Sequence, residues 1–461
     1  VGAQAAAFHA GPAVIISFLI AGIVCGAAVM CYAEFASMIP VAGSAYTFTY
    51  TTVGEIMAWI IGWDLILEML MAGSVISKYW GVYLNDFMRL MGWNANTNLT
   101  FGSFHIDIAP IIIVAFFTTL LVFGTKIGAR VDGAMTVLKI AIVFFVVIVG
   151  FFYVKASNFT PFIPPSQPAS TVEGSSAVTG VMTQPLWQFA TGMTPSVYGV
   201  PGILSGAALV FFAFIGFDVV ATASEETKNP HKNVPLGIGV GMLLIIVMYM
   251  LVAVVTTGMV SYADLAKQDS PSLATAFELV GADWAAKIIS FGIVLGLATV
   301  VMVLLLGLTR IVFAMSRDGL LPRGLSKTGK HGTPAALQIV VGAVVALVAA
   351  FFDIGVLSDM VNIGTLSAFT LVAISIPIMR KKRPDLPRAF KMPGSPWIPI
   401  LIAVANFWLM LNLSVLTWIR FVVWLVVGFA IYFGYGYWHA RLGKGDLTET
   451  LSAETDKAVN G

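Results

Sequence analysis

The sequence predicts an all-α integral membrane protein, on three observations. Of its 461 residues, 58% are hydrophobic and only 10% charged, with a mean hydropathy of +0.92; soluble domains carry roughly 25% charged residues. Apolar runs of bilayer length recur, among them Val234–Val255 and Ile288–Val312, and roughly 20 such residues of helix cross the hydrocarbon core. The runs are continuous, whereas the strands of a membrane barrel would alternate apolar and polar residues. A net charge of +2 leaves no electrostatic footprint for a nucleic-acid partner.

Twelve transmembrane helices are expected in a single transmembrane domain over 1–439. Val1–Ala10 is apolar but too short to cross, and reads as the end of a first span truncated in the sequence as given. Spans 2 to 5 follow at about 12–35, 54–85, 108–124 and 132–154. A connection over about 155–200, rich in Pro, Ser, Thr and Gly, predicts irregular backbone. Spans 6 to 10 occupy about 202–225, 234–259, 285–315, 334–352 and 357–379, and spans 11 and 12 about 397–417 and 420–439. The remainder, 440–461, is a polar tail.

Charge sets the orientation. The outer side holds Lys78, Arg89, Lys155, Lys267, Lys287 and Arg420; Lys139 stands inside a span, and the rest of the 25 Lys and Arg fall on the other side. Cytoplasmic loops carry such an excess, so both ends of the intact chain are expected in the cytoplasm of a cell-membrane protein. Asn98-Leu99-Thr100 and Asn158-Phe159-Thr160 match the glycosylation pattern on the outer side. The two cysteines, Cys25 and Cys31, and the five scattered histidines give no metal-site spacing, and no cofactor is expected. Gly324–Lys330 mimics a phosphate-binding loop, but His331 stands where Ser or Thr is needed and no strand precedes it. The architecture also lacks the catalytic His or Asp cluster of an intramembrane enzyme.

Three places carry chemistry. Lys139 lies in the apolar stretch Ala134–Val154; a lysine at membrane depth costs about 2.5–3.5 kcal/mol on insertion scales and marks a functional site by default. Its four-carbon stem could instead snorkel to the nearby inner surface. Asp64 and Glu68, four apart, share one face of span 3; Glu68 is near mid-span and is a second proton-site candidate, while Asp64 suits structural pairing. In span 6, Phe214-Ile215-Gly216-Phe217-Asp218 invites a break, which would free backbone groups to coordinate an ion or zwitterion near the midplane. Gly22/Gly26 and Gly292/Gly296 have the small-xxx-small spacing of close helix packing.

Several motifs in order resemble the amino acid–polyamine–organocation superfamily. They are Tyr32–Ala36 with Pro40–Tyr46; Phe212–Asp218 with Glu225–Pro230; Arg310 with Ser316–Pro322; Asn362–Leu366; and Arg383–Asp385 with Arg388–Phe390. Trp63–Glu68 resembles its cationic amino acid transporter branch, bacterial proton-coupled type. The resemblance implies a LeuT-type 5+5 inverted repeat plus two extra helices, and a proton-coupled, sodium-independent amino-acid symporter working by alternating access. An exchanger of amino acids or polyamines is the alternative. It implies that carbonyls around Ala213, Phe214 and Ile215 hold the substrate amino group, that Phe217 gates the pocket, and that Met302 and Ile363 bound it. It also places Lys139 where sodium sits in sodium-coupled relatives, with Thr299 nearby. Amino acids and protons are the expected partners, with small neutral or cationic side chains. A monomer is expected, and a small helical membrane partner is compatible with any lipid-facing surface.

Overall fold

The structure is a computed structural model. It describes residues 1–38, 46, 49–50, 54–93, 97–101, 104–123, 129–171, 180–216, 229–268, 271–329, 333–382, 384, 388 and 390–440. Phe217, Asp218, the run Glu225–Lys228, the segment Pro40–Ala45, Lys330, His331 and the tail from 441 lie outside the described residues.

Among the described residues, twelve of the helices fall at or near the expected spans. They are α1 (Gly2–Ala5, continued by a π turn over Ala6–Ala10), α2 (Val14–Met38), α3 (Glu55–Leu90), α4 (Ile108–Val122), α5 (Ala129–Phe151) and α6 (Gly199–Val210), then α7 (Pro230–Met259), α8 (Asp283–Arg317), α9 (Ala335–Phe351), α10 (Ile354–Lys382), α11 (Trp397–Leu411) and α12 (Val415–Ile431). Among the described residues, six helical segments are long and apolar enough to cross a membrane, and five shorter apolar helices accompany them. With no water in hydrocarbon to satisfy a bare backbone, helix is the form such apolar segments adopt.

Most bounds lie within a few residues of those read from the sequence; α3 runs five residues beyond the expected end. Near that end, Arg89 forms a two-pronged bond with Glu278, at 2.9 and 3.1 Å, which holds the helix end against the short helix Leu273–Leu279. The long outer connection is also more structured than expected. A two-residue strand pair aligns Gln167 with Val197. A short helix, Leu186–Thr191, is stitched to the start of α12 through Leu186 N–H to Leu413 O and Val415 N–H to Gln184 O. Asn158 donates its side-chain amide to Gly258 O at 2.7 Å.

One continuous apolar core runs through the molecule. α3 packs extensively against α8 and α10, and α2 against α7. Glycines set how close these helices come. A Cβ at Gly292 would meet Ile142 of α5 at 2.5 Å, and one at Gly22 would meet Ile246 of α7 at 2.9 Å, as the small-residue spacings predict.

Candidate functional site

The site is built around the end of α6. α1 and the start of α6 touch backbone to backbone: a Cβ at Gly202 would collide with the carbonyl of His9. Tyr198 donates its N–H to His9 O and its hydroxyl to Ala7 O, both at 2.7 Å, so the π-turn carbonyls find partners. The side chains of His9 and Ser205 add a 3.0 Å hydrogen bond between the two elements.

α6 ends at Val210, tightens to a 3-10 turn over Phe211–Phe214, and then leaves helical geometry. Ile215 is extended, with φ −71° and ψ 144°, and Gly216 takes φ 115°. Only glycine adopts that φ readily, so the break falls where the sequence places it. The freed carbonyls already have partners. Tyr249 of α7 donates its hydroxyl to Ala213 O at 2.8 Å, and the Cys25 thiol of α2 faces Phe214 O at 3.9 Å. Ala213 and Tyr249 share the wall of a cavity of 220 Å³ with Phe18, Thr256 and Thr257. The gating role read for Phe217 falls outside the described residues.

Lys139 is half-buried on α5. Its stem runs across Gly296 of α8, where an added Cβ would stand 3.3 Å from Lys139 Cγ and 3.6 Å from Cε. The Thr299 hydroxyl donates to Gly296 O at 2.9 Å. Lys139 and Thr299 therefore meet around one glycine, and the absent side chain there makes the slot the lysine stem occupies. The aliphatic stem is buried against α8, which plain outward snorkelling does not require.

On α3, Asp64 and Glu68 are both fully buried. Ser367 of α10 donates to Asp64 Oδ2 at 2.7 Å, while Asp64 Oδ1 has no hydrogen-bond partner among the described residues. α10 approaches α3 closely at Gly364, where a Cβ would lie 3.3 Å from Leu67 and 3.5 Å from Asp64 O. Met302 on α8 is 8% exposed and Ile363 on α10 is fully buried. Both pack into the core, and neither is on the wall of the cavity beside Ala213.

Reading residues alone missed three groups. Tyr249 was one of many aromatics, and its signal was a polar-tipped ring in the middle of an otherwise apolar run. Cys25 was read only for metal or disulfide chemistry. Asn362 is buried without a hydrogen-bond partner on either amide atom among the described residues, an expensive arrangement in a dry interior.

The chain matches the model of the family described as amino acid permease over residues 1–435. It is 42% identical over 446 residues to the branched-chain amino acid permease BcaP of Bacillus subtilis, covering 95% of this chain and 89% of that protein. It is 39% identical over 445 residues to the methylthioribose transporter of the same bacterium, with 95% and 89% covered. The cationic amino acid transporter 3, mitochondrial, of Arabidopsis thaliana is 37% identical over 379 residues, with 81% of this chain and 57% of that protein covered. A break in an apolar helix, a lysine within another apolar helix and a match along nearly the whole chain converge: this protein belongs to the amino acid permease family of the amino acid–polyamine–organocation superfamily.

Proposed function

We propose that this protein is a proton-coupled, sodium-independent symporter of small neutral or cationic L-amino acids that works by alternating access. The observation that carries the reading is the interruption of α6, where extended Ile215 and left-handed Gly216 take the backbone out of the helical ladder and leave polar groups that depend on partners outside the helix. Such groups coordinate zwitterions without a dedicated side-chain charge. Family membership supports an amino-acid cargo, as does a relative named for branched-chain amino acids.

In this reading the twelve helices form a LeuT-type inverted repeat, α1–α5 and α6–α10, with both ends of the intact chain cytoplasmic. Carbonyls of Ala213, Phe214 and Ile215 receive the substrate ammonium. Lys139 supplies a fixed positive charge between α5 and α8 in place of a sodium ion, beside Thr299, and its deprotonation loosens that contact. Glu68 is a second proton-carrying group. Phe217 gates the pocket, and Met302 with Ile363 limits side-chain size, so Met302→Ser should admit longer substrates such as arginine. An unchanged substrate range in that variant removes Met302 from the pocket.

The test is uptake of labelled L-alanine by otherwise empty proteoliposomes. Accumulation under an inward proton gradient, with none under a sodium gradient alone, is the expected result. Uptake only after preloading with amino acid would make the protein an exchanger and return Lys139 to a structural role. The 39% identity to a methylthioribose transporter favours adding that neutral thioether sugar as a second labelled cargo.

A further inference from the structure

Past Phe214 the α6 backbone leaves the helical ladder, so its last carbonyls depend on outside donors. Ala213 O has one: the Tyr249 hydroxyl at 2.8 Å. A carbonyl oxygen has two lone pairs, so one bond from Tyr249 orients the group and leaves the second lone pair for another donor. The tyrosine is held in place from two sides. Its ring makes an edge contact with Phe214, centroids 5.2 Å apart at 61°, and a tilted contact with Phe18 of α2 at 5.9 Å and 58°. Tyr249 and Ala213 both line the 220 Å³ cavity, a space of about seven waters at about 30 Å³ each. About two turns along α7, Thr256 and Thr257 line the same cavity, and each donates its hydroxyl back to its own helix, to Val252 O and Ala253 O. With their protons so committed, they can offer a polar solute only lone pairs. Tyr249 is thus the group on this wall whose hydrogen bond leaves its own helix and engages the break.

We propose that Tyr249 is a positioning residue for amine capture: its hydroxyl fixes the Ala213 carbonyl in the orientation that accepts the substrate ammonium, a role that rests on reading Ala213 to Ile215 as the amine site. Tyr249 touches the carbonyl and acts through it. An alternative role, capping one carbonyl to stabilise the fold, makes different predictions.

Tyr249→Phe removes the hydroxyl and keeps the ring contacts. In proteoliposomes, with the better transported of L-alanine and L-isoleucine, KM should rise about 5- to 10-fold, the factor one hydrogen bond supplies, with maximal rate within about twofold. Competition by the 2-hydroxy analogue of that amino acid, which carries a hydroxyl in place of the ammonium, is the second measurement. The preference for amine over hydroxyl should shrink in Tyr249→Phe by the same factor as KM rises. A KM that is unchanged or falls overturns the proposal. So does a lower maximal rate at constant KM, or a variant that fails to fold, since either makes the hydroxyl purely structural. If the parent protein itself shows no preference for the amine, the amine-site reading fails, and the role of Tyr249 fails with it. If the parent discriminates and Tyr249→Phe discriminates equally, the role of Tyr249 alone is lost.

Discussion

α3 and α7 are both long apolar helices, of 36 and 30 residues, yet they are built into the molecule in opposite ways. The most apolar stretch of α3 is 78% buried, and that of α7 only 22%. Directional bonds hold α3 along its length. Trp63 donates to Trp424 O at 2.9 Å and Trp424 donates back to Trp63 O at 3.3 Å, their rings stacked 4.4 Å apart. Tyr432 donates to Glu55, Ser367 to Asp64, and Lys78 to Ala349 O. On α7, Leu236, Val240, Leu243, Val247 and Leu251 form an exposed stripe at helical spacing, a face for lipid. Its buried side meets α2 largely through apolar contacts such as Ile246 against Gly22. Dispersion contacts survive a small slide, whereas a hydrogen bond broken in hydrocarbon finds no water to replace it. α3 is thus tied to its neighbours by directional bonds and α7 mainly by dispersion, while α2 is itself anchored to α10, where Arg380 grips the buried Glu34 carboxylate with two bonds.

The largest test of that division is functional. Lys139→Met should lower proton-driven accumulation by about 10-fold or more, since it deletes a charge set within an apolar helix, a costly placement that marks functional sites. The protein should remain folded by size-exclusion chromatography, and normal coupled uptake would remove Lys139 from the mechanism. Next is Trp63→Ala, which takes the central ring from the α3–α12 stack and should cost about 3–5 kcal/mol, measured by thermal unfolding in detergent. A loss below about 1 kcal/mol would show α3 to be less tied than its bonds indicate. Ser367→Ala should cost about 1–3 kcal/mol, because the Asp64 carboxyl loses its donor while still buried. Leu244→Ala, on the 48% exposed flank of α7, should stay within about 0.5 kcal/mol; a larger cost would mean that α7 is packed on both faces.

The smallest effect belongs to the outer rim. A hydrogen bond from Lys267 holds the Asp264 carboxyl below its ordinary range. A depressed folded-state value gives stability above the ordinary carboxylate pKa that is lost as pH falls through the depressed one. Both side chains are more than half exposed, and such solvated pairs contribute little. Lys267→Ala should therefore leave the acid unfolding midpoint unmoved within experimental scatter.

Sequence reading located the helices and the break because both are local. Apolar length defines a span, and Gly216 is the residue that accepts the break's left-handed φ. The Gly292/Gly296 spacing likewise announced a close helix approach, and α5 occupies it. Partners distant along the chain were not legible. Nothing near Ala213 in sequence names Tyr249, and nothing near Asp64 names Ser367, 303 residues away. The Trp63–Trp424 stack was invisible for another reason: in a chain with 11 tryptophans, composition does not say which rings meet. The end of α3 was placed five residues short because the contact that holds its last turn, Arg89 to Glu278, lies 189 residues away in the sequence.

The glycine beneath Lys139 separates two properties that one residue normally carries. Lys139 provides the charge, while position 296 sets its address, because the aliphatic stem lies in the space that a side chain on α8 would fill. Enlarging that position by one methyl at a time would shift the ammonium by tenths of an ångström with its charge unaltered. The position of the lysine charge is thus set, like a bead along a wire, from a helix that does not bear it.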